Sequence, residues 1–376
     1  MPALRPLRTA LLLATVALSS ACKSDLQFVP QQYQDMADDH GQWLSMGVAP
    51  DGELAVTFYN HTRGAIGFGT GMPGDDGTVH WTYEQVDGYP DSQGLNPGDR
   101  GKYTSMKIDA NGRVWVSYYD LSNGALKAAY RDGGTWTSEV ADTGPGLSPD
   151  VGQWTSLALD SDGNPVVAYH DVKNGDLRVA RRSSDGTWSA DTVYEGQAVG
   201  DTPPDAGMYA RLLIDGNTEY IAFYDKAAGD LHLLEGFPGA YTDTVVASDG
   251  DTGLWPSIQV GGDTVRIAYQ RANTQDLMLA TRTGAGTFTN QVVDDGPYRG
   301  ADTEIFQKDG QPAIVYFDGQ NNDMWLAEYT GSTWSTHKVA GDGIAVGYHN
   351  EVAYTRDRWW AASYDYTNRR IFVTPL

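Results

Sequence analysis

Cysteine is almost missing from this chain of 376 residues, since Cys22 is the only one. A disulfide needs two cysteines, so no bridge within the chain can support the fold. Long hydrophobic runs are missing too, because the apolar stretch at residues 10–18 is too short to span a bilayer. No segment repeats its apolar residues with the period of a helix. These absences favour an all-β fold held together by one large core.

Basic residues are scarce as well. The chain has 26 Lys and Arg against 49 Asp and Glu, a net charge of −23. Loss of Arg5 and Arg8 with a cleaved signal would leave 24 basic against 49 acidic residues, or about −25. So acidic a surface repels nucleic acid and anionic lipid. We therefore exclude nucleic acid as a partner and expect contact with a membrane only through a lipid anchor.

The chain does contain a repeated pattern, which is clearest in residues 152–193. Four short apolar-rich runs are separated there by Ser-Asp-Gly-Asn, Lys-Asn-Gly and Ser-Asp-Gly. A glycine near Asp or Asn supplies the positive backbone angle that a tight hairpin turn needs. The pattern therefore predicts an antiparallel meander of four strands.

Seven copies of this unit follow one another at intervals of 46 to 60 residues, which suits a four-stranded blade. Their opening glycines are Gly41, Gly101, Gly152, Gly207, Gly253, Gly300 and Gly347. The second strands end in related motifs such as YYD, YHD and FYD, which confirms the alignment of the units. We predict a single seven-bladed β-propeller of four-stranded antiparallel blades over residues 26–376, and we expect a monomer.

The last unit ends after its third strand, at Leu376. Propellers leave only short, protected strand edges, so something should cover this one. Residues 26–32 are strand-like and precede the first unit by the length of an outer strand and its connection. We therefore predict that they pair with residues 370–374 and close the ring.

The N-terminus has the three parts of an export signal. Residues 1–21 combine Arg5 and Arg8 with a short apolar region and the small residues 19–21. An ordinary secretory signal of this kind needs no cysteine. A single unpaired thiol in an exported protein calls for a reason.

Cys22, directly after the small residues, resembles the lipobox cysteine of bacterial lipoproteins. The resemblance implies acylation of Cys22 as the mature N-terminus and a short tether over residues 22–25. Lys23 in the next position implies the outer membrane of the cell envelope. An ordinary secretory signal that happens to contain a cysteine is the alternative.

The turn SSDGTW at residues 183–188, with a weaker copy GSTW at residues 331–334, resembles the Asp-box of sialidase-like propellers. The repeat carries this resemblance across essentially the whole mature chain, and it implies the fold and export. In that family the Asp-box is a structural turn, so it implies no activity here. The Arg-Ile-Pro motif of sialidases is absent from the sequence.

Two recurrent acidic patterns are interpreted as scaffold. The Asp-x-Asp-Gly turn that begins at Asp160 lacks the ligands that should follow in a calcium loop, so we interpret it as a hairpin turn. An aspartate closes the second strand in five units, where it should accept N–H groups of its own turn. These residues are Asp120, Asp171, Asp225, Asp318 and Asp365.

Aromatic residues two positions after the opening glycine are the first candidates for ligand binding. They are Trp43, Tyr103, Trp154, Tyr209 and Trp255, and the second strands add Tyr119, His170 and Tyr224 on the same face. Rings beside polar groups suit sugars, whose C–H faces stack on them. Packing between neighbouring blades is the alternative role.

Departures from the repeat supply the charged candidates. Arg211, Glu304 and Glu351 stand where four units have serine, while Asp302 and His349 replace the aromatic residue. With Arg271, Arg211 would face these acidic groups across the ring. Asp302, Glu304, His349 and Glu351 are candidates for a divalent cation site, although we predict no cofactor. Glu304 and Glu351 are also candidates for acid–base catalysis, and solvated groups along the channel are the remaining alternative.

Three function classes follow. We favour a surface-anchored, non-catalytic module that binds a glycan or a protein through one propeller face. A glycan-acting enzyme, either a sialidase-like hydrolase or a lyase, is the second class. A structural envelope protein that scaffolds a partner is the third.

Overall fold

The computed structural model describes residues 27–28, 38–74, 77–88 and 98–376. These residues form 28 strands joined by turns and loops, and no helix is present among them. Within these ranges no helix is therefore long and apolar enough to cross a membrane. The predicted all-β class is confirmed.

The strands form seven antiparallel blades around a central channel. Blade 1 consists of β2 (His40–Val48), β3 (Leu54–Asn60), β4 (Ala65–Gly71) and β5 (Thr82–Asp87). Blade 2 consists of β6 (Arg100–Ile108), β7 (Val114–Asp120), β8 (Ala125–Asp132) and β9 (Thr135–Asp142). Blade 3 consists of β10 (Val151–Leu159), β11 (Pro165–Asp171), β12 (Asp176–Arg182) and β13 (Trp188–Tyr194). Blade 4 consists of β14 (Ala206–Asp215), β15 (Thr218–Asp225), β16 (Asp230–Phe237) and β17 (Ala240–Ala247).

The remaining blades repeat this order. Blade 5 consists of β18 (Thr252–Gly261), β19 (Thr264–Arg271), β20 (Asp276–Thr283) and β21 (Thr289–Asp294). Blade 6 consists of β22 (Ala301–Lys308), β23 (Gln311–Asp318), β24 (Asp323–Tyr329) and β25 (Trp334–Ala340). Blade 7 consists of β26 (Tyr348–Thr355), β27 (Arg358–Asp365) and β28 (Arg370–Pro375).

The turns are built as the sequence predicts. Asp160 accepts hydrogen bonds from the backbone N–H groups of Asp162 and Asn164, at 2.9 and 2.8 Å, within its own turn. Asp171, at the end of β11, accepts the N–H of Asn174 at 3.1 Å. Both aspartates therefore act as turn scaffold, and the interpretation of Asp160 as a turn residue is confirmed.

The hydrophobic core is divided among the blade boundaries. Seven clusters of buried side chains lie in the described residues, one between each pair of neighbouring blades. The cluster between blades 7 and 1 packs Leu54 and Phe58 against Trp360 and Ile371. Every blade therefore buries both faces of its sheet against its two neighbours.

The predicted closing strand is not observed. Gln27 and Phe28 form the short strand β1, which pairs with Thr137 and Trp136 of β9 at the outer edge of blade 2. The prediction is therefore wrong for these two residues, while residues 26 and 29–32 lie outside the described ranges. Blade 7 has three strands in the described part of the chain.

The ring closes instead through the faces of blades 7 and 1. In addition to the apolar cluster, the Tyr364 hydroxyl donates to Asp39 at 2.6 Å. The backbone N–H of His40 donates to the carbonyl of Arg369 at 3.1 Å. These contacts join consecutive blades without a shared strand.

Candidate functional site

Seven equivalent side chains surround the mouth, which we define as the end of the central channel where the inner strands begin. The register of every inner strand shifts there, and a bulge of this kind re-aims a side chain. The re-aimed residues have φ angles between 46° and 57°, in the left-handed region. They are Trp43, Tyr103, Trp154, Tyr209, Trp255, Asp302 and His349.

The preceding glycine makes this geometry possible. Gly152 has a φ of 106°, and a Cβ atom on it would lie 2.8 Å from the Cα atom of Leu126 in blade 2. No other residue fits that approach. A left-handed conformation at the following Trp154 costs on the order of 1 kcal/mol. Since all seven blades share it, the strain belongs to the fold, and only the side chains differ from blade to blade.

Five of the seven side chains form a continuous aromatic arc, made of Trp43, Tyr103, Trp154, Tyr209 and Trp255. Neighbouring ring centroids lie 5.0, 4.3, 4.3 and 5.2 Å apart along the arc. Each contact joins one blade to the next, so the rings also contribute to packing between blades. All five side chains are half-buried and line one recess of about 70 Å³.

A polar segment completes the circle. Asp302 follows the arc, and its Oδ1 lies 3.9 Å from Nδ1 of His349. The His349 ring lies 5.6 Å from that of Trp43, where the arc begins. Burial lowers the pKa of His349, so its imidazole is neutral near pH 7. Burial also raises the pKa of Asp302, whose side chain is only 17% exposed.

Charged side chains continue from the mouth into the channel. Arg211, Glu304 and Glu351 line a cavity of about 420 Å³ together with Lys107 and the serines of the other inner strands. Arg211 and Glu351 also line the recess at the mouth, so the two spaces adjoin at these side chains. The guanidinium Nε of Arg211 donates to the carbonyl of Pro256 at 3.2 Å.

The two channel glutamates influence each other. Burial and then the negative charge of Glu351 raise the pKa of Glu304 to about 8, against the opposing charges of Arg211 and Lys107. Burial likewise raises the pKa of Glu351. A pair of carboxyl groups with raised pKa values holds a proton at neutral pH more readily than isolated carboxylates do.

The four predicted cation ligands do not come together as a metal-binding cluster. Among the described residues, no group of three or more His, Cys, Asp or Glu is placed to hold a metal ion. Asp302 and His349 lie together at the mouth, whereas Glu304 lines the deeper channel. The four residues are therefore divided between two levels.

Some predicted ligand-binding residues are buried between blades. Tyr119, His170 and Tyr224 are 3 to 5% exposed. The Tyr119 and Tyr224 hydroxyls donate to Asp150 and Asp251 of the following blade, at 2.5 and 2.6 Å. His170 Nε2 similarly lies 3.2 Å from an Asp205 oxygen. These side chains connect one blade to the next, and we call the three contacts latches. The buried side chains have little surface left for a ligand.

Arg271, which was also predicted to bind the ligand, contacts residues of its own turn instead. Its guanidinium contacts Asp276 at 2.5 Å, and its Nε donates to Thr274 at 2.7 Å, both beside its own turn. It does not line the recess at the mouth. The predicted pairing of Arg211 and Arg271 on one side of a ligand is therefore not supported by the geometry.

Two features of the site were not predicted. Asn350 lines the recess, where other blades have Thr, Ala, Pro or Leu, and comparison of the repeats could have identified it as a departure. The latch aspartates were also missed. They precede the opening glycine by two positions in five units, as Asp39, Asp99, Asp150, Asp205 and Asp251.

No protein-family model matches the chain, and no curated protein matches it in sequence. Solved structures do match. AofleA from Arthrobotrys oligospora is 14% identical over 85% of this chain and 90% of its own, with a TM-score of 0.51. A fucose-specific lectin from Aleuria aurantia is 15% identical over 79% of this chain and 95% of its own, with a TM-score of 0.50. At such identities the likeness shows a shared fold alone.

A sialidase from Trypanosoma rangeli is also similar, at 10% identity and a TM-score of 0.49 over 81% of this chain and 57% of its own. This level of likeness says nothing about activity. Function must therefore be argued from the site itself.

Proposed function

We propose that the protein is a lipid-anchored, non-catalytic module that binds a glycan at the mouth of the propeller. The observation that carries this proposal is the aromatic arc, five touching rings that face one recess beside Asp302, Asn350 and Arg211. Ring faces suit the C–H surfaces of sugars, and the polar groups suit their hydroxyls. The fold is compatible with such a role, since the Aleuria aurantia protein of similar fold is a fucose-specific lectin.

A glycan array tests the proposal with the soluble form that begins after Cys22. We expect Trp154→Ala and Trp255→Ala to weaken binding of any array ligand about tenfold, because an aromatic contact contributes on the order of 1 kcal/mol beyond its buried area. Tyr354→Ala is the matched control, because Tyr354 is 52% exposed and lies at the opposite end of its inner strand. Thermal midpoints show whether each variant folds.

Three results would contradict the proposal. If no glycan binds while the propeller captures a partner protein, the scaffold class replaces it. If both tryptophan variants unfold, the arc serves packing between blades, and the more conservative Trp255→Phe must then decide whether binding depends on the ring. If the variants fold and bind as before, the ligand site is not the mouth.

An enzyme remains the second candidate because of one observation. Glu304 and Glu351 share a buried space and have raised pKa values, as a general acid in a glycosidase does. Turnover of any bound glycan by the natural chain, abolished in Glu351→Gln, would replace binding with catalysis. Binding without turnover supports the non-catalytic module.

A further inference from the structure

We propose that the recess at the mouth selects ligands that carry a protonated amine, so that the preferred glycan has free amino sugars. This inference rests on the proposed glycan-binding function. The five rings of the aromatic arc line one side of the recess, and Asp302, Asn350 and Glu351 line the other. The chemistry of this lining decides which substituent of a ligand the recess favours.

The aromatic arc favours a cation. The negative faces of Trp, Tyr and Phe rings attract ammonium groups, most strongly where water is excluded. Neighbouring rings of the arc are tilted by 44° to 54°, so they form a curved wall around the recess. A curved aromatic wall can contact one cation with several rings at once.

Acceptor groups dominate the polar side of the recess. The Nδ2 group of Asn350 donates to the carbonyls of Asp302 and Gly347, both at 2.9 Å. Its Oδ1 atom is left buried without a partner, in a side chain that is 2% exposed. The carboxyl groups of Asp302 and Glu351 also line the recess. An ammonium group supplies three donors and no acceptor, which complements this set.

Among the described residues that line the recess, Arg211 is the one cation, and its charge is already balanced. It faces Asp302, Glu304 and Glu351, and it lowers the pKa of each against the larger effect of burial. His349 adds no charge near neutral pH because burial lowers its pKa. Lys107 is exposed and acts from the channel side on the two glutamates. An ammonium group at the mouth would act in the same direction as Arg211 and favour the ionised form of these carboxyl groups.

Three β-1,4-linked oligomers that differ at one position test the inference: glucosamine, N-acetylglucosamine and glucose. Binding is measured by calorimetry at a pH at which the amines are protonated. We expect the glucosamine oligomer to bind about tenfold more tightly than the other two, because only it carries ammonium groups. Asp302→Asn should abolish that preference. Asp215→Asn, which removes an exposed charge at the far end of β14, should preserve it.

The outcomes separate this inference from the proposed function. Equal binding of the three oligomers, or array ligands that all lack an amine, would overturn the preference while leaving glycan binding intact. Tighter binding of carboxylated glycans would overturn it as well, since Arg211 would then be the recognising group. Binding of no glycan at all would overturn the proposed function. If Asp302→Asn does not fold, Glu351→Gln gives the same test from the other carboxyl group in the recess.

Discussion

Serine hydroxyls on four of the inner strands join their blade to the next. The Oγ atom of Ser156 accepts the backbone N–H of Leu212 at 2.9 Å, and both groups are buried. Ser45, Ser105 and Ser257 make the same contact with Met106, Leu157 and Ile305. Glu351 replaces serine at the boundary between blades 7 and 1, where its carboxylate accepts the N–H of Met46. At this boundary a carboxylate therefore takes the place of the serine hydroxyl as the acceptor.

We expect Ser156→Ala to lower the free energy of unfolding by about 1–3 kcal/mol, because the buried N–H of Leu212 loses its acceptor. Ser189→Ala, at an exposed position of β13, should change it by less than about 0.5 kcal/mol. Denaturant unfolding measures both. Equal effects in the two variants would show that the hydrogen bond contributes no net stability.

Glu304 should give the protein a distinctive dependence of stability on pH. Its pKa is raised from 4.5 in the unfolded chain to about 8 in the fold, so the folded state binds more protons between these values. The stabilisation from this group is therefore complete below about pH 4.5 and is lost as the pH rises towards 8. We expect Glu304→Gln to flatten this part of the stability profile, whereas Glu195→Gln, at an exposed position, should leave it unchanged. Parallel profiles of the natural chain and Glu304→Gln would contradict the raised pKa.

The positions at the mouth could be predicted because aligned repeats reveal where one blade departs from the others. Asp302 and His349 were found in this way, and they do lie beside the aromatic arc. The depth of a side chain could not be predicted. Alternation along a strand indicates on which face of the sheet a side chain lies. It does not indicate how closely the neighbouring blade packs on that face, and this packing is what buries Tyr119.

At the scale of the strands, local chemistry explains what the sequence could predict. Hairpin turns depend on a few adjacent residues, so the strand order of every blade followed from glycine, Asp and Asn positions. The pairing of the N-terminal strand could not be predicted in this way. Edge pairing joins segments that are far apart in sequence, and several edges can accept the same short strand. Gln27 and Phe28 pair with β9 although β28 presents a similar edge.

The edge of β28 should therefore differ from the third strands of the other blades. We expect its outward-facing amides to exchange with solvent faster than those of β12, because β13 covers β12 whereas no described strand covers β28. Hydrogen exchange with mass spectrometry compares peptides over residues 370–375 and 176–182. Equal protection would show that part of the chain outside the described ranges covers this edge.

At the scale of the whole molecule, the body of the protein is an acidic ring of seven blades. Seven boundary clusters and the latches between blades hold it without a disulfide, and its net charge of −23 opposes contact with anionic lipid. We therefore expect firm attachment to lipid to come from a part of the chain outside the propeller.

The proposed anchor at Cys22 makes this expectation testable in cells. Acyl chains bury many CH₂ groups at about 0.8 kcal/mol each, which is enough to hold a propeller domain at a bilayer when more than one chain is attached. We expect the natural protein to partition into detergent and Cys22→Ala to appear in the soluble fraction with an unchanged thermal midpoint. Mass spectrometry of the mature N-terminus is the independent check. A Cys22→Ala variant that stays with the membrane would show that the acidic ring is held by a partner rather than by lipid.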